Sequence, residues 1–389
     1  MKKKLTIILF TLIVIVLLGE NVFAIPAFAR KYSMSCQTCH SPAPRLKAYG
    51  EEFAGNAFQL TDKESPRYYM ETGDDELSLI RDVPLAFRLD GYITYNHKQS
   101  KASDISSPYN LKIMSGGSLS SKAAYYFYFY FSERGEIAGV EDAFIMFSDL
   151  FGTDLDVYIG QFAVSDPLFK GELRLTFDNY QIYKTNVGLS RVNLSYDRGI
   201  MLTYGLETGT DITLELVNGN GIGKANNFKI FDDDAYKNFL GRISQDVGDN
   251  LRIGVFGYTG KEELVSGIQQ FENNVTMFGP DITLGYKDIL ELNGQYIFRK
   301  DKDPIGTAQE IKTKGAFAEL IYTPNGDNSK WYANGLFNWI ESDLINLNYK
   351  SATAHVGYMF RRNIRMIAEY TYNLTNKYGQ VVVGVSSAF

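Results

Sequence analysis

The chain has 389 residues, a formal net charge of −6, and 27 Tyr and 26 Phe. Without the three lysines and one glutamate of residues 1–24 the charge is −8, which speaks against a nucleic-acid partner. Only two cysteines are present, so stability cannot come from a framework of disulfides.

Residues 1–24 read as a signal peptide. Lys2, Lys3 and Lys4 form a basic start, "LTIILFTLIVIVLLG" is an apolar core of 15 residues, and "VFA" ends in the small Ala24. The run is short of the roughly 20 apolar residues that a spanning helix needs.

Residues 25–84 form a separate N-terminal segment around "YSMSCQTCHSPAPRLKAYG". Cys36, Cys39 and His40 have the spacing of covalent haem attachment: two thiols meet the two haem vinyl groups and the adjacent imidazole reaches the iron. A redox dithiol would sit on a thioredoxin-like βαβ unit, and the sequence after the motif contains none. A zinc site would need a further ligand close by, and only His97 and His355 remain as histidines. After Pro42 and Pro44, which cannot continue a helix from the motif, "RLKAYGEEFAGNAFQL" places Leu46, Tyr49 and Phe53 at helical spacing, with Phe58 beyond. These side chains are expected to pack on a haem face or to dock the segment. With only 60 residues the segment is a marginal domain alone, so the rest of the haem surface must be buried by residues 85–389.

Residues 85–389 repeat one pattern. About sixteen segments alternate apolar with polar or small residues at period 2, the mark of a strand with one dry and one wet face. In "AFRLDGYITYNH", Phe87, Leu89, Ile93 and Tyr95 oppose Arg88, Asp90, Thr94 and Asn96. In "ILELNGQYIFRK", Leu290, Leu292, Tyr296 and Phe298 oppose Glu291, Asn293, Gln295 and Arg299. In "AAYYFYFYFSE" both faces are aromatic, Phe on one and Tyr126, Tyr128 and Tyr130 on the other; this suits lipid outside and a polar lumen inside better than water on both sides. Short links such as "SSKA", "VGDN" and "RRN" alternate with long ones around 99–107, 133–138, 164–198, 218–237, 259–274, 300–311, 341–348 and 373–379. That alternation with an even strand count describes an outer-membrane β-barrel, short turns towards the periplasm and long loops outside. The expected fold is an all-β membrane barrel of about 16 antiparallel strands over residues 85–389, its lumen plugged by a small helical haem c segment. The link at 164–198 is expected to fold inward, and the terminal Phe389 resembles the assembly signal of such barrels.

The stretch "IPAFARKYSMSCQTCHSPAPRLKAYGEEF" resembles the start of the fused monohaem cytochrome–porins of the outer membrane, through Pro26, Phe28, Ala29, Arg30, Cys36, Cys39, His40, Pro44, Leu46, Gly50 and Phe53. Glu51 and Glu52 depart from its more basic and apolar character. The resemblance implies a barrel of about sixteen strands, one covalent haem c, oxidation of extracellular Fe(II) (a ferrous iron oxidase), and a periplasmic c-type cytochrome as the inner partner. Electron export to external acceptors, and a diffusion porin with a structural or redox-sensing haem, are the other readings of these residues.

For the sixth iron ligand, strand parity in "SATAHVGYMFRR" turns His355 and Met359 to the lumen. Met114 and Met201 also read as lumenal, Met34 and Met70 lie near the motif, and His97 falls on the lipid-facing parity. An open or water-bound iron is the remaining possibility. The acidic clusters Asp232, Asp233 and Asp234, and Asp301 with Asp303, read as solvated loop charge in preference to weak Fe(II) or Ca2+ sites.

Overall fold

The computed structural model describes residues 27–60, 69–70, 73–74, 77, 79–81, 83–98 and 103–389. The expected signal peptide and Pro26 lie outside the described residues. Two short helices, α1 (Ala27–Tyr32) and α2 (Ala48–Gly55), flank a single 3-10 turn at Cys36–Thr38.

Sixteen strands form the barrel: β1 Leu85–Asn96, β2 Ser103–Ser120, β3 Ala123–Glu133, β4 Gly139–Leu150, β5 Leu155–Ala163, β6 Tyr196–Leu206, β7 Thr210–Val217 and β8 Asn238–Val247. The second half comprises β9 Leu251–Ser266, β10 Gln269–Tyr286, β11 Leu290–Asp301, β12 Ile311–Tyr322, β13 Trp331–Ser342, β14 Tyr349–Arg361, β15 Ile364–Asn373 and β16 Tyr378–Ala388. Each strand pairs antiparallel with its sequence neighbours, and β16 pairs with β1 to close the barrel. The terminal residue completes that seam. Phe389 exchanges both backbone hydrogen bonds with Phe87, at 2.6 and 2.9 Å, and the two rings stack at 5.7 Å.

The expected parity holds along the wall. Arg365, Glu369 and Asn373 are buried inside while Met366 and Tyr370 are exposed outside. The outer surface carries Ile93, Leu214, Phe278, Leu320 and Val383, the apolar surface a bilayer accepts. At the short-turn end Tyr286, Tyr322, Trp331 and Tyr358 are exposed on the outside of neighbouring strands, an aromatic girdle of the membrane interface.

One long link is not a loop. The stretch 259–274 is the end of a long ribbon in which β9 and β10 stay paired to Ser266 and Gln269, leaving only Gly267 and Ile268 in the turn. Glu262, Glu263, Gln270 and Glu272 make this part polar, so it reads as loop by composition although its backbone remains in the ladder.

The connection at 164–195 folds inward and fills the side of the lumen beneath β8–β13. Val164, Leu168, Tyr180, Ile182, Tyr183, Val192 and Leu194 bury themselves against Leu240, Phe256, Met277, Ile297, Phe317 and Leu336 of those strands. Tyr180 stacks on Phe317 at 4.2 Å. Each fully buried side chain of this size contributes about 1.5–3 kcal/mol. The lumen is therefore apolar under the loop, where period 2 alone implies a polar interior.

Polar anchors fix the loop's path. The N–H groups of Phe177 and Asp178 donate to the Glu369 carboxylate at 2.6 and 2.9 Å, and Tyr180 Oη donates to Glu319 at 2.8 Å. On the opposite wall Lys112 Nζ donates to Glu172 at 2.6 Å. Burial works to raise the Glu172 carboxyl, but Lys112 and Arg88 outweigh it and hold the group at about 2. A carboxyl lowered on folding stabilises above its unfolded value and loses that contribution as pH falls through the folded one. Glu172→Gln is thus expected to destabilise the folded barrel at pH 7. The difference from wild type, followed by the heat-induced mobility shift on gels, should shrink between about pH 4.5 and 2; a difference independent of pH would contradict the pairing.

Candidate functional site

The cysteine motif folds because its backbone satisfies itself in one turn. Ser35 Oγ accepts from the Gln37 N–H at 3.4 Å and caps the turn. The N–H groups of Cys39 and His40 both donate to the Cys36 carbonyl, at 3.3 and 2.9 Å. Both thiols are free and half-buried, and burial pushes both up from their ordinary value.

The His40 ring is set by its neighbours. Nδ1 lies 2.8 Å from the Pro44 carbonyl and 3.2 Å from that of Arg45. Carbonyl oxygens only accept, so Nδ1 carries the proton and Nε2 keeps its lone pair. Burial lowers the imidazole's proton affinity against the pull of those carbonyls, so the ring is held neutral, the form that ligates metals. Two thiols in one turn, beside an imidazole with Nδ1–H tied down, match the donor set of a covalent haem and the usual outer hydrogen bond of a ligating histidine.

Helix α2 presses on this turn. The Lys47 N–H donates to the Cys39 carbonyl at 3.0 Å, and a Cβ on Gly50 would stand 2.4 Å from that same oxygen. Phe53 and Phe58 are buried, while Tyr49 at the margin of the helix is 41% exposed. Phe28 from α1 stacks on Phe58 at 5.0 Å and meets Phe53 edge-on at 5.3 Å. With Met34, Cys39, Ala124, Met146 and Tyr126 they make one apolar cluster joining the segment to β3 and β4. The aromatic partner Phe28 is the part that helical spacing does not disclose.

The segment spans the short-turn mouth. On one wall Gln59 Nε2 donates to the Ser120 carbonyl at 2.9 Å. On the other Lys47 pairs with Asp327 at 2.5 Å, Arg45 with Glu291, and Arg365 Nη1 donates to the Ala43 carbonyl at 3.1 Å.

His355 and Met359 both face the lumen, but in different company. His355, 1% exposed, has both ring nitrogens engaged: Nδ1 with Glu369 at 2.9 Å and Nε2 with the Tyr332 hydroxyl at 3.2 Å. Arg365 donates to that hydroxyl at 3.0 Å. Glu369, His355, Tyr332 and Arg365 therefore form one hydrogen-bonded chain from the inward loop to Ala43 of the segment. Met359 packs with Leu175, Ile321 and Tyr332 against Ala43 itself, three residues beyond His40. Met114 and Met201 face the lumen, Met201 beneath the inward loop. His97 lies in the turn after β1 and is bonded to Gly379. Asp232, Asp233 and Asp234 are taken by Lys237, Arg191 and the Glu263 N–H, and Asp301 by Arg299. Among the described residues no group of three or more His, Cys, Asp or Glu is placed to hold a metal ion.

No family model and no curated protein matches the sequence. Among solved structures the chain is similar to OmpT, an outer membrane protein of Vibrio cholerae, with 12% identity and a TM-score of 0.58 over 79% of this chain and 99% of that one. The anion-selective porin of Comamonas acidovorans is similar at 14% identity and TM-score 0.57, again over 79% of this chain and 99% of that one. The outer membrane channel DcaP of Acinetobacter baumannii gives 11% and 0.56, over 79% and 97%. The chain has the porin fold. At these identities the likeness concerns fold alone, and the haem motif stands on its own residues.

Gly50→Ala is expected to lift α2 from the motif, because neither backbone can yield without breaking the Lys47–Cys39 bond; overpacking of this kind costs about 1–3 kcal/mol. Limited trypsinolysis of the folded protein should then cut after Arg45 or Lys47 faster than in wild type. An unchanged cleavage rate would show that the contact does not hold the segment.

Proposed function

We propose that this protein is an outer-membrane porin-type barrel that carries one covalent haem c in its short-turn, periplasmic mouth. Its role is to pass electrons between the outside, with extracellular Fe(II) as donor, and a periplasmic c-type cytochrome. The observation that carries the reading is the His40 arrangement: Nδ1–H bound to the Pro44 carbonyl and Nε2 unbonded among the described residues, beside two free thiols, in a segment braced across the mouth. The resemblance of residues 25 to about 60 to the monohaem cytochrome–porins is the ground for naming Fe(II) as donor; the motif itself does not separate electron uptake from export.

Haem bound there supplies a reversible one-electron Fe(III)/Fe(II) couple. Cys36 and Cys39 would hold it as thioethers and His40 Nε2 would be the axial ligand. The Pro44 carbonyl fixes the tautomer of that ring. Phe28, Phe53 and Phe58 exclude water from one flank of the motif. Of the two strand residues that could supply a further iron ligand, Met359 is better placed, because its cluster packs on Ala43 and it makes no side-chain hydrogen bond among the described residues, whereas both nitrogens of His355 are already committed.

A second reading, a diffusion porin, is favoured by the inward loop and by the cavity of about 240 Å³ that remains beside it.

Protein purified from cells able to mature c-type cytochromes is expected to keep haem through denaturing electrophoresis, and Cys39→Ala to abolish the covalent stain. Anaerobic Fe(II) should give the reduced visible spectrum. Met359→Ala should shift that spectrum and His355→Ala should leave it unchanged. Haem reducible by dithionite but not by Fe(II) would turn the reading to electron export. No haem absorbance, together with steady ion conductance in planar bilayers, would leave a diffusion porin.

A further inference from the structure

The lumenal cavity of about 240 Å³ lies between the inward loop and the wall of β1–β6 and β14–β16. Its charges are unevenly matched. Arg88 is paired with Asp90 at 3.1 Å, Arg134 with Glu133 at 3.1 Å, and Arg365 is held by Ala43 and Tyr332. The cavity's carboxylates are occupied as well. Glu172 is bound by Lys112, Glu141 accepts from Tyr128 at 3.1 Å, and Asp178 accepts from Gln181 at 2.8 Å, Ser351 at 3.1 Å and Thr353 at 3.3 Å.

Two cations of the loop are left over. Among the described residues Arg174 donates only to the Gly171 carbonyl, at 2.7 Å, and its Nε is buried without a partner. Lys184 makes no ion pair or side-chain hydrogen bond among the described residues. Burial, then Arg174 and Arg134, push its ammonium below the ordinary value against the opposing pull of Glu141 and Glu172. Lys184 is exposed and lines the cavity, and the buried Arg174 Nε is the costly group unless an acceptor joins it. Arg134, 59% exposed and reaching in from the β3–β4 link, shows that the space opens towards the long-loop end.

We propose that this cavity is a binding site for a small divalent oxyanion, inorganic phosphate or a short dicarboxylate, held between Arg174 and Lys184. Guanidinium and ammonium donors lining one cavity can give charge-assisted bonds to two oxygens of such an anion, with Arg174 supplying the directional fork. Phosphate leaves room for water in this volume; a four-carbon dicarboxylate fills more of it. In a chain of net charge −6, a cationic site reached from outside concentrates anions that the rest of the surface repels. The site depends on the barrel lumen alone and is independent of haem attachment.

The test is calorimetric titration of the folded full-length protein in detergent at low salt, with inorganic phosphate in one arm and succinate in the other. Saturable binding in at least one arm is expected, with the tighter arm naming the anion. Arg174→Gln with Lys184→Gln should weaken it at least about tenfold, the loss of one to two charge-assisted bonds. Lys184→Gln alone, at an unpaired side chain that the fold does not need, should weaken it about threefold or more. Lys224→Gln, an exposed cation in the β7–β8 link, should leave it unchanged. The proposal fails if neither anion binds saturably, if binding survives the double substitution, or if Lys224→Gln weakens it equally.

Discussion

Everything in this molecule depends on closure of the strand ladder. A bilayer offers backbone groups no hydrogen-bond partner, so a spanning sheet is stable only when it has no edge. Here the last strand meets the first, and the terminal Phe389 makes the final pair of bonds with Phe87. Once the wall is closed, period 2 assigns every side chain to lipid or to lumen, and both helices of the N-terminal segment must find their contacts at a mouth or inside.

The lumen is occupied by two bodies that the wall grips separately. The inward loop buries an apolar face against β8–β13 and turns its charges, Glu172, Arg174 and Lys184, towards the opposite wall. The N-terminal segment bridges the short-turn mouth through Gln59, Lys47 and Arg45. The two are joined through the wall by the chain Glu369–His355–Tyr332–Arg365, which receives the loop's backbone at one end and holds Ala43 at the other. A buried polar chain whose members are all partnered is rigid, since losing one leaves another unsatisfied. The position of the motif is thereby tied to the position of the loop.

This arrangement separates two chemistries along the barrel axis. The short-turn mouth has aromatic packing, free thiols and a neutral imidazole. The space on the long-loop side is lined by Arg174, Lys184 and several tyrosines.

The sequence by itself determined the barrel: alternation such as Phe87, Leu89, Ile93 against Arg88 and Asp90 is local, and each strand states its own two faces. It also set Cys36, Cys39 and His40 side by side, while the carbonyls that fix the His40 ring come from the fold of the segment. It misjudged the stretch 259–274, where polar residues on a strand that outruns the membrane look like loop. It was silent on the apolar lumen under the inward loop, on Phe28 as the ring that stacks on Phe58, and on the engagement of His355 by Glu369 and Tyr332. Those are contacts between residues far apart in the chain: parity says which side a residue faces but not what stands opposite. Only the closed barrel, by fixing which strands lie across the lumen from one another, decided that.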